Sequence, residues 1–257
     1  MPEPRTRIRV AQWTSGIVGV SAIRAILDDP RLELVGLYSH GADKRGQDAG
    51  VLAGRPPVGV TATDDIDAVL ATRPDCVVYM PHWPDIAELE HILSAGVDVV
   101  TTARLVNGEH YPDDAGDRLR RAAQAGGATL VGTGCNPMHV PTVALAATAM
   151  CRHVSRISVT ESMDCFLYQN AATWTNYGFG GPPDVAAVAA GLRAAEPDYP
   201  ETLAAMARAI GVEIDHVELG VELAVASTDR DLGFLQIPAG SVAGIDATWT
   251  GSRDGQP

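Results

Sequence analysis

The chain has 257 residues, 46% apolar and 20% charged, enough to bury the core of a nucleotide-sized domain and of a second domain after it. A formal net charge of −13 argues against nucleic acid and anionic membrane surfaces as partners, because a field of that sign repels phosphates. No apolar run reaches the ~18 residues of a membrane span and no basic-then-apolar leader opens the chain, so a soluble, unexported, cytoplasmic protein with no membrane association is expected.

Cysteine usage agrees with that compartment. Cys76, Cys135, Cys151 and Cys165 show neither a CxxC pair nor a compact disulfide spacing, and no metal site is spelled out. Lys44 is the only lysine, so any chemistry that needs a lysine base or Schiff base must use it.

In chain order, Arg7 to Gln12 is β-prone and stops at a Ser/Gly turn, after which Ile17, Val20, Ile23, Ile26 and Leu27 recur at helical spacing. Leu32 to Tyr38 supplies the next strand, completing a βαβ unit within about 30 residues. The alternation continues through strands at Gly59 to Ala62, Cys76 to Met80, Val97 to Thr101 and Ala128 to Gly132. Helices are expected between them at Asp64 to Ala71, Pro84 to Ala95 and Asp113 to Ala125. Parallel crossovers join such a series economically, giving an α/β fold with an N-terminal Rossmann domain, a doubly wound sheet of six parallel strands. Ligands of such a sheet bind where its strands end. Those ends are Thr14 to Gly19, Ser39-His40, Pro81-His82-Trp83, Thr101 to Arg104 and Thr133 to Pro137.

The dinucleotide fingerprint G-x-G-x-x-G is met at its second and third glycines by Gly16 and Gly19, whereas Thr14 occupies the first place. In this βαβ setting the amides at the helix start suit a diphosphate. An acidic residue ending the second strand would bind a ribose 2′-hydroxyl, but Tyr38 is followed by Ser39 and His40, with Lys44 and Arg45 nearby. That arrangement favours NADP(H) over NAD(H). The expected cofactor contacts are Trp13, Thr14, Ser15, Gly16, Ile17, Val18, Gly19, Ser39, His40, Lys44, Arg45, Pro81, His82, Thr101, Thr102 and Asn136.

Beyond residue 137 the pattern changes, and domains at 1–137 and 138–257 are expected, the second an α+β domain. A helix is read from His139 to Met150 and a strand from Arg156 to Met163, running into Asp164 to Tyr168. The Gly- and Pro-rich stretch Trp174 to Pro183 reads either as a loop over a pocket or as a turn whose aromatics plug a core. Helices at Val185 to Ala194 and Pro200 to Ile210 precede strands at Val217 to Ala226, Phe234 to Ile237 and Ser241 to Thr250. Asp254-Gly255 then signals a hairpin turn with positive φ. No return strand follows it, so a domain short of its tail is expected.

Five segments now read together: Ala11-Gln12-Trp13-Thr14-Ser15-Gly16-Ile17-Val18-Gly19, Leu32 to Gly36, Gly59 to Asp65, Asp98-Val99-Val100-Thr101-Thr102 and Gly132-Thr133-Gly134-Cys135-Asn136-Pro137. With Glu161, Asp164, Tyr168, Gly178-Phe179-Gly180 and Pro182-Pro183, they resemble the dihydrodipicolinate reductase-like family that includes 2,4-diaminopentanoate dehydrogenase and the native amine dehydrogenases. The resemblance implies an NAD(P)H-binding Rossmann domain and an α+β substrate and dimerisation domain that covers the nicotinamide. It further implies a homodimer, a C-terminal return missing from this chain, and a small carbonyl or amine substrate. Two departures stand out. The paired-histidine, lysine-bearing motif of true dihydrodipicolinate reductases is absent. The glutamate that amine dehydrogenases carry after the Thr-Thr pair is replaced, since Thr101-Thr102 runs into Ala103-Arg104-Leu105.

Hydride transfer needs an acid or base beside the reacting oxygen or amine. Glu109 and His110, in the loop after the fifth strand, are the nearest substitutes, and Tyr168 and Asp164 are the candidates from the second domain. Two other readings stay open: a thioester enzyme using Cys135 at a helix start, and a nucleotide-binding protein without turnover. Sugar oxidoreductases of similar architecture need a Glu-Lys-Pro triplet that is absent.

Overall fold

The computed structural model describes residues 7–109, 111–134 and 138–255. The chain divides into two compact units, Met1–Gly134 and Cys135–Pro257.

In the first unit, β1 (Ile8–Trp13), β2 (Leu32–Tyr38), β3 (Ala62–Thr63), β4 (Cys76–Tyr79), β5 (Asp98–Thr101) and β6 (Leu130–Gly132) form one sheet in the order β3-β2-β1-β4-β5-β6. Every neighbouring pair is parallel. The winding reverses between β1 and β4, which makes the crevice beyond those strands the switch point of the sheet. Helices α1 (Ile17–Asp28), α2 (Ala49–Leu52), α3 (Ile66–Ala71), α4 (Ile86–Ser94) and α5 (Ala115–Gly126) connect the strands.

The strands are apolar on both faces because helices cover both. Ala11, Trp13, Val77, Tyr79 and Val99 pack with Leu89, Ile92 and Leu93 of α4 and Leu119 of α5. A second cluster sets Val10, Leu34 and Leu37 against Ile23 and Ile26 of α1. Aspartates set several boundaries: Asp65 accepts from the amide of Ala68, and Asp85 from those of Ala87 and Glu88, so α3 and α4 begin just after them. The strand expected at Gly59 to Ala62 shrinks to Ala62–Thr63. The Asp48 carboxylate draws the amides of Val58 and Gly59 into a loop before the sheet is reached.

The second unit holds α6 (Val140–Thr148), α7 (Ala171–Tyr177), α8 (Val185–Ala195) and α9 (Asp198–Ala209). Its long antiparallel ribbon joins β7 (His216–Val225) to β10 (Val242–Ser252), and a shorter one joins β8 (Arg230–Asp231) to β9 (Gln236–Ile237). Along β7 the side chains alternate, Leu219 buried under Val188, Ala189 and Leu192 of α8 and its neighbours Glu218 and Gly220 exposed. Asp254 and Gly255 take φ of 51° and 72°, the positive values their sequence favours.

Two expectations are corrected here. The strand read from Arg156 to Met163 is absent: that stretch carries no regular element, and no described strand pairs with it. Alternating sequence alone makes no ladder, since a strand needs a partner for its amides and carbonyls. The irregular stretch expected from Trp174 begins later, because Asn170 accepts from the amide of Thr173 and opens α7, which Gly178 ends at φ 105°. Trp174 and Phe179, with ring centroids 5.4 Å apart, join Ala226, Leu235 and Ile237 in a small core. Beside them lies a cavity of about 490 Å³ whose lining includes Asn176, Gly178, Phe179, Gly181, Pro182 and Val188.

Among the described residues no helix is long and apolar enough to cross a membrane, and no His, Cys, Asp or Glu cluster is arranged to hold a metal ion.

Candidate functional site

The amide of Thr14 donates to the Tyr38 carbonyl at 2.8 Å as β1 ends, and the chain then turns sharply, with Thr14 at φ 70°. Ser15 is buried, its hydroxyl 3.1 Å from that of Ser39. Gly16 is the N-cap of α1; no side chain caps that end and no acidic residue lies in its first turn. Gly16, Ile17 and Val18 are exposed. A Cβ on Gly16 would meet nothing within 4 Å, whereas one on Gly19 would lie 2.2 Å from the Thr14 carbonyl oxygen.

The three fingerprint positions thus separate physically. Thr14 carries the tight turn, Gly16 leaves room for a ligand, and Gly19 lets α1 close on the strand. An uncapped helix start of this kind presents unpaired amides and the positive end of the dipole, which fits a diphosphate. Thr14, at the place of the fingerprint's first glycine, keeps the left-handed conformation that a glycine would adopt, a strained state for a β-branched residue.

At the end of β2, Lys44 donates from Nζ to the Ser15 carbonyl at 2.9 Å, bringing the single lysine to the turn. Arg45 is engaged by the Asp64 carboxylate in a close ion pair. His40 is exposed, with Nδ1 3.5 Å from the Tyr38 hydroxyl and Nε2 3.9 Å from Oε1 of Glu88.

No sequence motif singles out Glu88. It is 9% exposed, and its Oε2 accepts from Nε1 of Trp13 at 3.0 Å and from the Tyr79 hydroxyl at 2.8 Å. The Tyr79 hydroxyl accepts in turn from the Asp85 amide. Trp13 stacks on Tyr38, with centroids 4.2 Å apart. The Trp13 indole therefore faces the core with no exposure, which leaves the backbone of Trp13 as the part of it next to the turn. Burial, reinforced by the Glu88 charge, pushes the Tyr38 phenol up to about 12. Burial likewise raises Tyr79 well above the ordinary tyrosine value.

Beyond β4, Pro81 is half-buried and His82 exposed, its ring edge-on to Trp83 at 5.2 Å. Thr101 is fully buried, its Oγ1 accepting from the Ala103 amide at 2.9 Å, and the Thr102 amide donates to the Tyr79 carbonyl at 3.2 Å. Ala103 itself is 4% exposed, so the position expected to carry an acid points a methyl group into the core. Glu109 is tied by Asn107, which accepts from its amide at 3.0 Å, and by an ion pair with Arg120 of α5 at 3.7 Å.

Asp164 and Tyr168 belong to the second unit. The Asp164 carboxylate accepts from the Phe166 amide at 2.9 Å and opens a single 3₁₀ turn. Tyr168 is about half exposed (48%) and edge-on to Trp174. His110, Cys135 and Asn136 lie outside the described residues. Because the strands are parallel, the turn from Thr14 to Gly19, Ser39 and His40, Pro81 and His82, and Thr101 and Thr102 all lie at one edge of the sheet.

Residues 12–103 match the family model described as dihydrodipicolinate reductase, N-terminus. An amine dehydrogenase of Streptomyces virginiae is 30% identical over 263 residues, covering 97% of this chain and 72% of the relative. A 4-hydroxy-tetrahydrodipicolinate reductase of Paraburkholderia phymatum is 38% identical over 118 residues, covering 42% of this chain and 39% of the relative. Among solved structures, the amine dehydrogenase from Mycobacterium smegmatis superimposes with a TM-score of 0.77 over 97% of this chain and 76% of its own, at 22% identity, a likeness of fold.

Proposed function

The chain belongs to the dihydrodipicolinate reductase-like family of oxidoreductases, and from that premise we propose that it transfers hydride between NADP(H) and a small carbonyl or imine, yielding an alcohol or amine. The observation that carries the nucleotide half of this reading is the uncapped start of α1, open at Gly16, at the end of the strand beside the switch point. Thr14 to Gly19 would hold the diphosphate. Lys44 and His40 would meet a 2′-phosphate; Arg45, spent on Asp64, contributes less, and the absence of an acid at Ser39-His40 removes the usual partner of an unphosphorylated ribose.

When bound, the nicotinamide supplies or accepts the hydride. The protein's task is to orient it and to move one proton at the substrate oxygen or nitrogen. Glu109, His110, Asp164 and Tyr168 are the proposed proton carriers, with Asn136, Thr101, Thr102, Pro81 and His82 proposed along the cofactor. With Ala103 buried where the amine dehydrogenases carry an acid, the proton must come from another residue whichever product forms, alcohol or amine.

The experiment is NADPH oxidation by purified protein against a panel of ketones and aldehydes, with and without ammonium. Turnover that ignores ammonium supports carbonyl reduction, and turnover that requires it supports amine formation. No turnover under either condition would contradict both.

A further inference from the structure

Gln12 is the last β1 residue before Trp13, and it is fully buried although its side chain is polar. Its Nε2 donates to the carbonyls of Trp13 and Thr14, each at 3.0 Å, while its Oε1 is buried without a hydrogen-bond partner. The amide orientation follows from the acceptors: two carbonyls converge on one point, and only the nitrogen end can serve both. One orphaned buried oxygen is thus tolerated to keep a double donor at this place.

The carbonyls it holds flank the residue at φ 70°, and the Thr14 oxygen is also the atom closest to a Cβ built on Gly19. We propose that Gln12 is a positioning residue of the nucleotide turn, its amide clamping the Trp13 and Thr14 carbonyls inward and so holding Thr14 in the left-handed conformation. That conformation aims the following backbone, from Ser15 to the uncapped start of α1, toward the diphosphate. A threonine does not adopt this backbone unaided, whereas a glycine would. Gln12 and Thr14 are therefore coupled: the clamp matters because residue 14 has a Cβ. The inference rests on the nucleotide reading above.

The test is a double-mutant cycle of Gln12→Met and Thr14→Gly, read by NADPH and NADH titration of the full chain and by thermal unfolding without nucleotide. Gln12→Met should weaken binding at least about tenfold in the parent background and less than about threefold when residue 14 is glycine. An equal loss in both backgrounds, or no loss in either, would overturn the proposal. Should Gln12→Met alone fail to fold, a double variant that folds and binds upholds the coupling, and a double variant that also fails to fold overturns it. A parent protein that binds neither nucleotide overturns the nucleotide reading together with this proposal; a parent that binds, with Gln12→Met binding equally well, removes the proposal alone.

Discussion

Gly19 and Thr14 occupy each other's space: the Thr14 carbonyl oxygen sits 2.2 Å from where a Cβ on residue 19 would be. Gly16, three residues earlier, has nothing within 4 Å of the same construction. Gly19→Ala should therefore destabilise the first unit by about 1–3 kcal/mol, because backbone lies in the way and must shift. Gly16→Ala should leave the unfolding free energy within about 0.5 kcal/mol and yet weaken nucleotide binding about tenfold or more. Urea unfolding and nucleotide titration of both variants check this separation of packing from binding, and equal behaviour of the two would contradict it.

Glu88 supports a second prediction. Glu88→Ala removes the acceptor of the Trp13 indole N–H and the Tyr79 hydroxyl, leaving two buried donors unpaired. The loss should be about 3 kcal/mol, with Glu88→Gln losing less because its carbonyl oxygen still accepts. Chemical denaturation distinguishes them. Identical losses would mean that charge, not acceptance, is what Glu88 provides there.

Alkaline titration gives a third. The folded Tyr38 phenol is held up to about 12, by burial first and by Glu88 next, against an unfolded value near 10. In that interval the unfolded chain has released a proton that the folded chain retains, so stability falls as pH rises. It should be intact below about pH 10 and lost progressively toward about pH 12. Unfolding curves at stepped pH, read against tyrosinate absorbance, check the window; Tyr38→Phe should make the fall shallower, with the remainder due to Tyr79, which burial also raises.

Most of the first unit was legible in the sequence, and the reasons are local. Apolar strand runs alternated with helical spacing, and aspartates stood where α3 and α4 begin. What escaped was set by distance in the chain. Glu88 lies 75 residues from Trp13, so nothing near either announced that an indole would turn inward to meet a carboxylate. Residues 156–163 carried the alternation of a strand, but no partner strand is paired with them in the described structure. The start of α7 was hidden because Asn170, its cap, stood four residues before the aromatic stretch that drew attention. The conformation of Thr14 was masked by its side chain, which argues against a positive φ that tertiary contacts nevertheless impose.

Lys44 carries the prediction of nucleotide choice. Its ammonium lies against the Ser15 carbonyl, whereas Arg45 is engaged by Asp64. Lys44→Met should weaken NADPH more than NADH, shifting their affinity ratio by about tenfold, with the shift shrinking as salt is raised. Parallel weakening of both nucleotides would assign Lys44 to the turn rather than to a 2′-phosphate.

The proposed hydride transfer depends on the turn from Thr14 to Gly19 gripping a dinucleotide. Titration of the purified protein with NADPH and with NADH, followed by cofactor fluorescence, tests that directly. Binding of NADPH well below millimolar concentration, and tighter than NADH, is the expected result; failure of both to bind below about 1 mM would contradict it.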